Sequence, residues 1–295
     1  MNIAIIGASG FLGRNLISYL LKNTNHQIKA LAPDIDTLKV ENTYKERVEL
    51  IRVDAFNKKE LEPALEGVDV AFYFIHLLCQ KKGFYQKESM VAENIGKALL
   101  KAKIRRVIYM SGLGKDEESL STHLLSRHKT GKILRNYVNQ VVEFRASMII
   151  GKGSASFEIV KDIIHKSPVI LLPKESTNKT QPIRLEDTLL YLTSAININN
   201  RENLILEIGG PEVLSYKEFL IKYRDFIKKK IPIIIISFLP SKIAGLFLNF
   251  FTSKRQAIIG QNMIESFKNE MIVTNNQARI IFPDIKTKRI DFSFL

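Results

Sequence analysis

Apolar runs and stretches of helical period alternate through the first half of the chain. Runs near 2–6, 27–32, 48–53, 68–75, 105–111 and 141–150 read as buried strands. Between the first two lies Phe11 to Lys22, where Leu12, Leu16 and Leu20, with Ile17 and Leu21, recur at helical spacing. Further helices are expected at 58–66, at 84–103 with Val91, Ile95, Ala98, Leu99 and Ala102 turned inward, and at 124–138. Strands alternating with helices, joined by right-handed crossovers, predict an α/β fold: a doubly wound parallel sheet covered on both faces.

After Gly151 the rhythm loosens. A helix is expected near 155–166, a strand at Val169 to Leu172, a helix from Glu186 and a strand at Leu204 to Ile208. Ser215 caps a further helix, with Glu218 at its third position completing a capping box. Ile233 to Ser237 reads as a strand, and 241–251 and 254–268 as helices. The expected division is a nucleotide-binding domain over 1–150 and a smaller α/β lobe over 151–295, facing substrate or partner, some of whose segments return to the sheet.

Composition changes this picture little. Of 295 residues 45% are hydrophobic and 25% charged, so the whole chain should fold. Cys79 is the only cysteine, which excludes an intramolecular disulfide and a cysteine zinc cage and fits a reducing, cytoplasmic setting. The first residues run straight from an apolar strand into a glycine turn and read as core, not as a signal peptide. Net charge is +14, but the basic residues are dispersed, so no specific nucleic-acid partner is expected. The apolar stretch Ile231 to Phe251 is broken by Pro232, Pro240 and Lys242, which argues against a spanning helix. Peripheral membrane contact stays open there beside the plainer reading of core strand and core helix.

The main chemical signal is Gly7-Ala8-Ser9-Gly10-Phe11-Leu12-Gly13, between a strand and an amphipathic helix. Gly7 permits a tight turn, Gly10 lets backbone approach a pyrophosphate, and Gly13 allows close helix–strand packing. The helix then presents free N–H groups and a partial positive charge to the phosphates. This predicts a Rossmann-type site for NAD or NADP. Asp34, near the end of the second strand, is placed to take a ribose 2′-hydroxyl, unless Pro33 redirects the chain; Arg14 is placed to pair with a 2′-phosphate. Both cofactors remain open.

These residues resemble the atypical, NmrA-like branch of the short-chain dehydrogenase/reductase superfamily, whose turn is G-x-x-G-x-x-G, and the likeness runs over almost the whole chain. The resemblance implies that Asp54 and Ala55 approach the adenine, that Phe74, Ile75 and His76 run beside the cofactor ribose, and that Ser111 holds the catalytic-serine position. Glu143 to Ser147 then lies near the nicotinamide, with Ala146 where many relatives carry proline. Thr180-Gln181-Pro182-Ile183 and Gly209-Gly210-Pro211 resemble a group of bacterial NAD(P)H-binding proteins, related in turn to the nucleotide-binding accessory subunit of respiratory complex I. The family's Tyr-x-x-x-Lys pair aligns with His123 and Arg127. An imidazole titrates near neutral pH and can act as general acid or base. A guanidinium can grip ribose hydroxyls, although its geometry and permanent charge differ from those of lysine. His76, at a strand exit, is an alternative proton donor, and no spacing of histidines with carboxylates suggests a metal site.

Two functions follow. One is an atypical oxidoreductase moving hydride between nicotinamide and a small carbonyl or quinone-like substrate, with Ser111, His123 and Arg127 as candidate catalytic residues. The other is a non-catalytic NAD(P)H-binding protein acting through a protein partner, as the missing Tyr/Lys pair would suggest.

Overall fold

The structure, a computed structural model, describes residues 1–78, 83–115 and 119–293; Cys79 lies outside the described residues. In chain order the strands are β1 (Asn2–Ile6), β2 (Gln27–Ala32), β3 (Val48–Arg52), β4 (Val70–Tyr73), β5 (Arg106–Gly112), β6 (Val141–Ala146), β7 (Ile149–Ile150), β8 (Ile170–Pro173), β9 (Lys179–Thr180), β10 (Ile183–Arg184), β11 (Leu204–Ile208), β12 (Leu214–Ser215) and β13 (Ile233–Ile236). The helices are α1 (Phe11–Asn23), α2 (Lys58–Ala64), α3 (Phe84–Lys101), α4 (Thr122–Arg135), α5 (Ala155–Lys166), α6 (Leu185–Ser194), α7 (Tyr216–Phe226), α8 (Ser241–Phe251), α9 (Lys254–Ile264) and α10 (Gln277–Ile281).

Seven strands form one parallel sheet in the order β11-β6-β5-β4-β1-β2-β3. Strand order reverses between β1 and β4, and in such sheets the crevice beyond the strand ends at that reversal is where ligands bind. Alternate residues of each strand feed two cores. On β5, Ile108 and Met110 pack with Leu16 and Leu20 of α1 and Leu189 and Leu192 of α6. Val107 and Tyr109 turn the other way, against Val91, Ile95 and Leu99 of α3 and Leu134 of α4. Double-sided burial explains why these strands read as continuous apolar runs.

The predicted run over 141–150 is two strands. β6 ends at Ala146, and β7 leaves for a separate parallel pairing with β10. Ser147, between them, bonds the Thr180 hydroxyl of β9, which draws the chain out of the sheet. The helix expected over 254–268 ends as an α-helix at Ile264 and tightens into a 3₁₀ turn over Glu265–Lys268. The Ser215–Glu218 capping box is present, with both reciprocal hydrogen bonds. A third core joins Phe157, Ile164, Ile170, Leu172, Phe219, Tyr223 and Phe292 beneath α5 and α7. Among the described residues no helix is long and apolar enough to cross a membrane.

Buried Arg106 ties the start of β5 to the segment after α6. Its guanidinium donates to the carbonyls of Ala195, Ile196, Ile198 and Asn200, and to Gln140 Oε1. A cation taken out of water is tolerated because oxygen acceptors replace its hydration.

Candidate functional site

The glycine turn sits at the strand-order reversal. Gly7 has φ +90°, and a Cβ there would lie 3.0 Å from the Phe74 carbonyl carbon and 3.1 Å from Ile75 N. Both the left-handed backbone and the close passage of the β4 exit therefore require glycine. Gly13 is as constrained: its Cβ would meet Gly7 O at 2.5 Å and Ala8 O at 2.6 Å. Gly10 differs, since its Cβ would touch only Gly7 O, at 3.2 Å, with nothing else close. Its missing side chain keeps open a space outside the protein's own packing. Among the described residues no side chain caps α1, which leaves the opening N–H groups of Phe11, Leu12 and Gly13 for an anion. An uncapped helix and an open cradle at Gly10 fit a dinucleotide diphosphate. Ser9 is half-buried in the turn.

Arg14 is exposed and lines a cleft of about 270 Å³ with Thr37 to Glu41 of the segment after β2. Asp34 is exposed, and its carboxylate accepts the Asp36 N–H at 3.2 Å. Arg52 reaches the same strand end, donating to Pro33 O at 3.1 Å and to Asp36 at 2.8 Å. Asp54 accepts the Phe56 N–H at 3.0 Å, while Asn94 of α3 braces the loop by donating to the carbonyls of Ala55 and Phe56.

At the exits of β4 and β5 the remaining candidates come together. Arg127 Nη1 donates to Ile75 O at 3.2 Å, and its guanidinium lies 4.9 Å over the Tyr109 ring, whose hydroxyl donates back to Arg127 O. Ser111, two residues beyond Tyr109 on β5, is buried; among the described residues its Oγ makes no hydrogen bond of ordinary geometry, although the Tyr109 hydroxyl on the same strand face is close enough to interact with it. A buried hydroxyl without a well-formed hydrogen bond is costly, and one at a strand exit beside a ligand crevice suits a bound molecule.

His76 and His123 belong to one hydrogen-bonded relay. Glu88 of α3, nearly fully buried, accepts from His76 Nδ1 at 2.5 Å, from the Leu77 N–H at 2.7 Å and from the Ser126 hydroxyl. His76 Nε2 lies 3.0 Å from His123 Nε2, and His123 Nδ1 lies 3.3 Å from Ser266 Oγ, which in turn is 2.9 Å from Ser121 Oγ. Burial raises the Glu88 pKa, but the charge His76 carries when protonated, the hydrogen bond from its ring, the Arg127 charge and the Ser126 hydrogen bond together outweigh it and hold the carboxyl well below its ordinary range. Burial, together with the Arg127 charge, lowers the pKa of both histidines. With Glu88 ionised and both rings neutral, one direction satisfies every atom. Ser121 donates to Ser266, Ser266 to His123 Nδ1, His123 Nε2 to His76 Nε2, and His76 Nδ1 to Glu88. The two histidines face each other at hydrogen-bond distance, which leaves no room for an ion between them, and no cluster of metal-ligating groups occurs among the described residues.

The sequence reading placed His76, His123, Arg127 and Ser111 near these strand exits but missed Glu88, Ser126 and Ser266. Glu88 carried a signal: it occupies the inward stripe of α3 with Val91 and Ile95, and a carboxylate among apolar positions calls for a partner. Ser266 carried none, because it arrives from the far end of the chain.

Residues 7–149 match the model of an NAD(P)H-binding family. No curated protein matches the chain. Among solved structures, the triphenylmethane reductase of Citrobacter sp. in complex with NADP(H) has TM-score 0.75 at 16% identity, covering 100% of this chain and 99% of that one. A nucleoside-diphosphate-sugar epimerase from Staphylococcus aureus has TM-score 0.75 at 12% identity, covering 99% and 98%. The UDP-glucuronic acid 4-epimerase of Bacillus cereus in complex with NAD has TM-score 0.66 at 17% identity, covering 90% and 96%. At such identities the structural likeness establishes the fold, and the family match adds the cofactor: residues 7–149 are an NAD(P)H-binding domain of Rossmann type.

Proposed function

We propose that the protein is an NAD(P)H-dependent oxidoreductase acting on a small carbonyl or quinone-like molecule. The carrying observation is the buried hydroxyl of Ser111 at the exit of β5, next to the strand-order reversal, which makes no hydrogen bond of ordinary geometry among the described residues. The bound nicotinamide supplies or accepts the hydride. Ser111 Oγ donates a hydrogen bond to the substrate oxygen and steadies the charge that develops there. Arg127, held against Ile75 O, presents a fixed cation to the ribose hydroxyls beside it. The amides opening α1 hold the diphosphate, and the space at Gly10 admits it.

His123 acts in this reading as a member of the relay. Both of its ring nitrogens are engaged inside the protein, so it steadies His76, whose side chain keeps 25% of its surface exposed. His76 is then the ring with access to a bound molecule, and Glu88 fixes its tautomer.

Consumption of NADPH and NADH across a panel of aldehydes, ketones and quinones tests the reading. Turnover is expected with at least one substrate, and Ser111→Ala should lower kcat by about 10- to 100-fold while leaving cofactor affinity unchanged. Tight cofactor binding without turnover would favour the second reading, a non-catalytic NAD(P)H-binding protein acting through a partner. What supports that alternative is the replacement of the Tyr/Lys pair by a histidine with both nitrogens occupied and an arginine packed on Tyr109.

A further inference from the structure

Beyond the sheet, the segment from β13 to α8 turns apolar side chains to the outside. Phe238 in the connecting loop is 95% exposed, Phe250 80% and Leu246 55%. Along α8, Ile243, Leu246, Phe247 and Phe250 are all exposed, at the i, i+3, i+4, i+7 spacing of one helical face. The opposite face is anchored: Ala244 and Leu248 are buried, and Leu248 packs with Ile159 and Ala257 of α5 and α9. The outward stripe is therefore not an unfinished core. Contiguous exposed apolar surface of this kind marks a contact surface.

Charge identifies the partner. Between Asp225 and Glu265 the chain carries no aspartate or glutamate, but it carries Lys228, Lys229, Lys230, Lys242, Lys254 and Arg255. Lys254 and Arg255, which follow α8 directly at the start of α9, are exposed, as are Lys228 and Lys230 ahead of β13. A second copy docked through the same face would set these cations against their own kind with no acidic residue in the segment to offset them. Phospholipid headgroups of negative charge supply the missing anions, and the acyl region takes the aromatic and leucine side chains.

We propose that α8 and the Phe238 loop form a membrane-surface docking face for anionic lipid, with Phe238, Leu246 and Phe250 entering the headgroup–acyl boundary and Lys254 and Arg255 held at the headgroups. The helix lies along the surface and does not cross it: at 11 residues it is too short to span a bilayer.

Flotation of the full chain on a density gradient tests this, with vesicles of phosphatidylcholine alone and vesicles of phosphatidylcholine mixed equally with phosphatidylglycerol. Flotation is expected with the mixed vesicles, weakening as salt is raised. A Leu246→Ser, Phe250→Ser double variant should lose at least about tenfold in vesicle affinity, because two side chains that gain apolar burial in the lipid are removed. Both positions are exposed, so the variant's thermal midpoint should match the parent's. No flotation with the mixed vesicles, or a folded double variant that floats like the parent, would overturn the proposal. So would a concentration-dependent dimer without vesicle binding, abolished by the same substitutions, which would give the face to a second copy.

Discussion

Gly10 and Gly13 sit three residues apart in one turn and carry different constraints. A side chain at Gly13 collides with the backbone of Gly7 and Ala8 at distances below 3 Å, whereas at Gly10 it meets a single oxygen at 3.2 Å and otherwise enters open space. Gly10→Val should therefore keep the thermal midpoint within a few degrees of the parent while weakening NAD(P)H binding by about 100-fold or more, read by calorimetry. Gly13→Val should unfold or strongly destabilise the chain, by about 3 kcal/mol or more in chemical denaturation, because backbone has to move. Equal stability losses at the two positions would contradict this division. The motif already assigned the two glycines different roles; the packing distances around Gly13 and the open space at Gly10 bear out that division.

At the scale of elements, strand ends are tied to neighbouring segments by polar devices that periodicity does not reveal. Arg106 opens β5, a strand whose every residue is buried, and its guanidinium collects carbonyls from the segment between α6 and β11. Arg106→Met keeps much of the volume but strips four backbone oxygens of a donor, so a loss of about 3 kcal/mol is expected in urea unfolding, with cofactor affinity little changed at this distal end of the strand. A loss below about 1 kcal/mol would show that water replaces the guanidinium. Legibility follows the same line. The strands β1 to β5, the helices facing them and the Ser215 cap were readable because each depends on residues close in sequence. The break of β6 from β7 was not, since it depends on Ser147 meeting Thr180, and the short pairings of β9 with β12 and of β8 with β13 depend equally on distant partners.

For the whole molecule, the half-buried histidine pair links stability to pH. Burial and the nearby Arg127 charge hold the pKa values of His76 and His123 below the ordinary 6.5, so the unfolded chain takes up protons that the folded one refuses. Stability is then complete above about pH 6.5 to 7 and falls as pH drops through that value, by up to about 1.4 kcal/mol per pH unit for each histidine. His26, lowered by burial and by the neighbouring N-terminus and Arg47, contributes in the same direction. Thermal midpoints measured between pH 8 and 5 should decline on the acid side, and a His76→Gln, His123→Gln double variant should show a flatter decline. An unchanged slope would assign the acid sensitivity to other groups.

The sequence by itself determined the alternation of strand and helix, the parallel doubly wound sheet and the glycine turn at its first crossover, because hydrophobic period and glycine spacing are local properties of the chain. It also brought His76, Ser111, His123 and Arg127 forward as candidates. Tertiary structure decided what those residues touch. Glu88 from α3, Ser126 from α4 and Ser266 from beyond α9 close around the two histidines, Ser111 is left as a buried hydroxyl with no hydrogen bond of ordinary geometry among the described residues, and α8 keeps one apolar face outward. Each of these outcomes rests on groups between about ten and more than a hundred residues apart meeting at hydrogen-bond or van der Waals distance, which packing sets and local pattern does not.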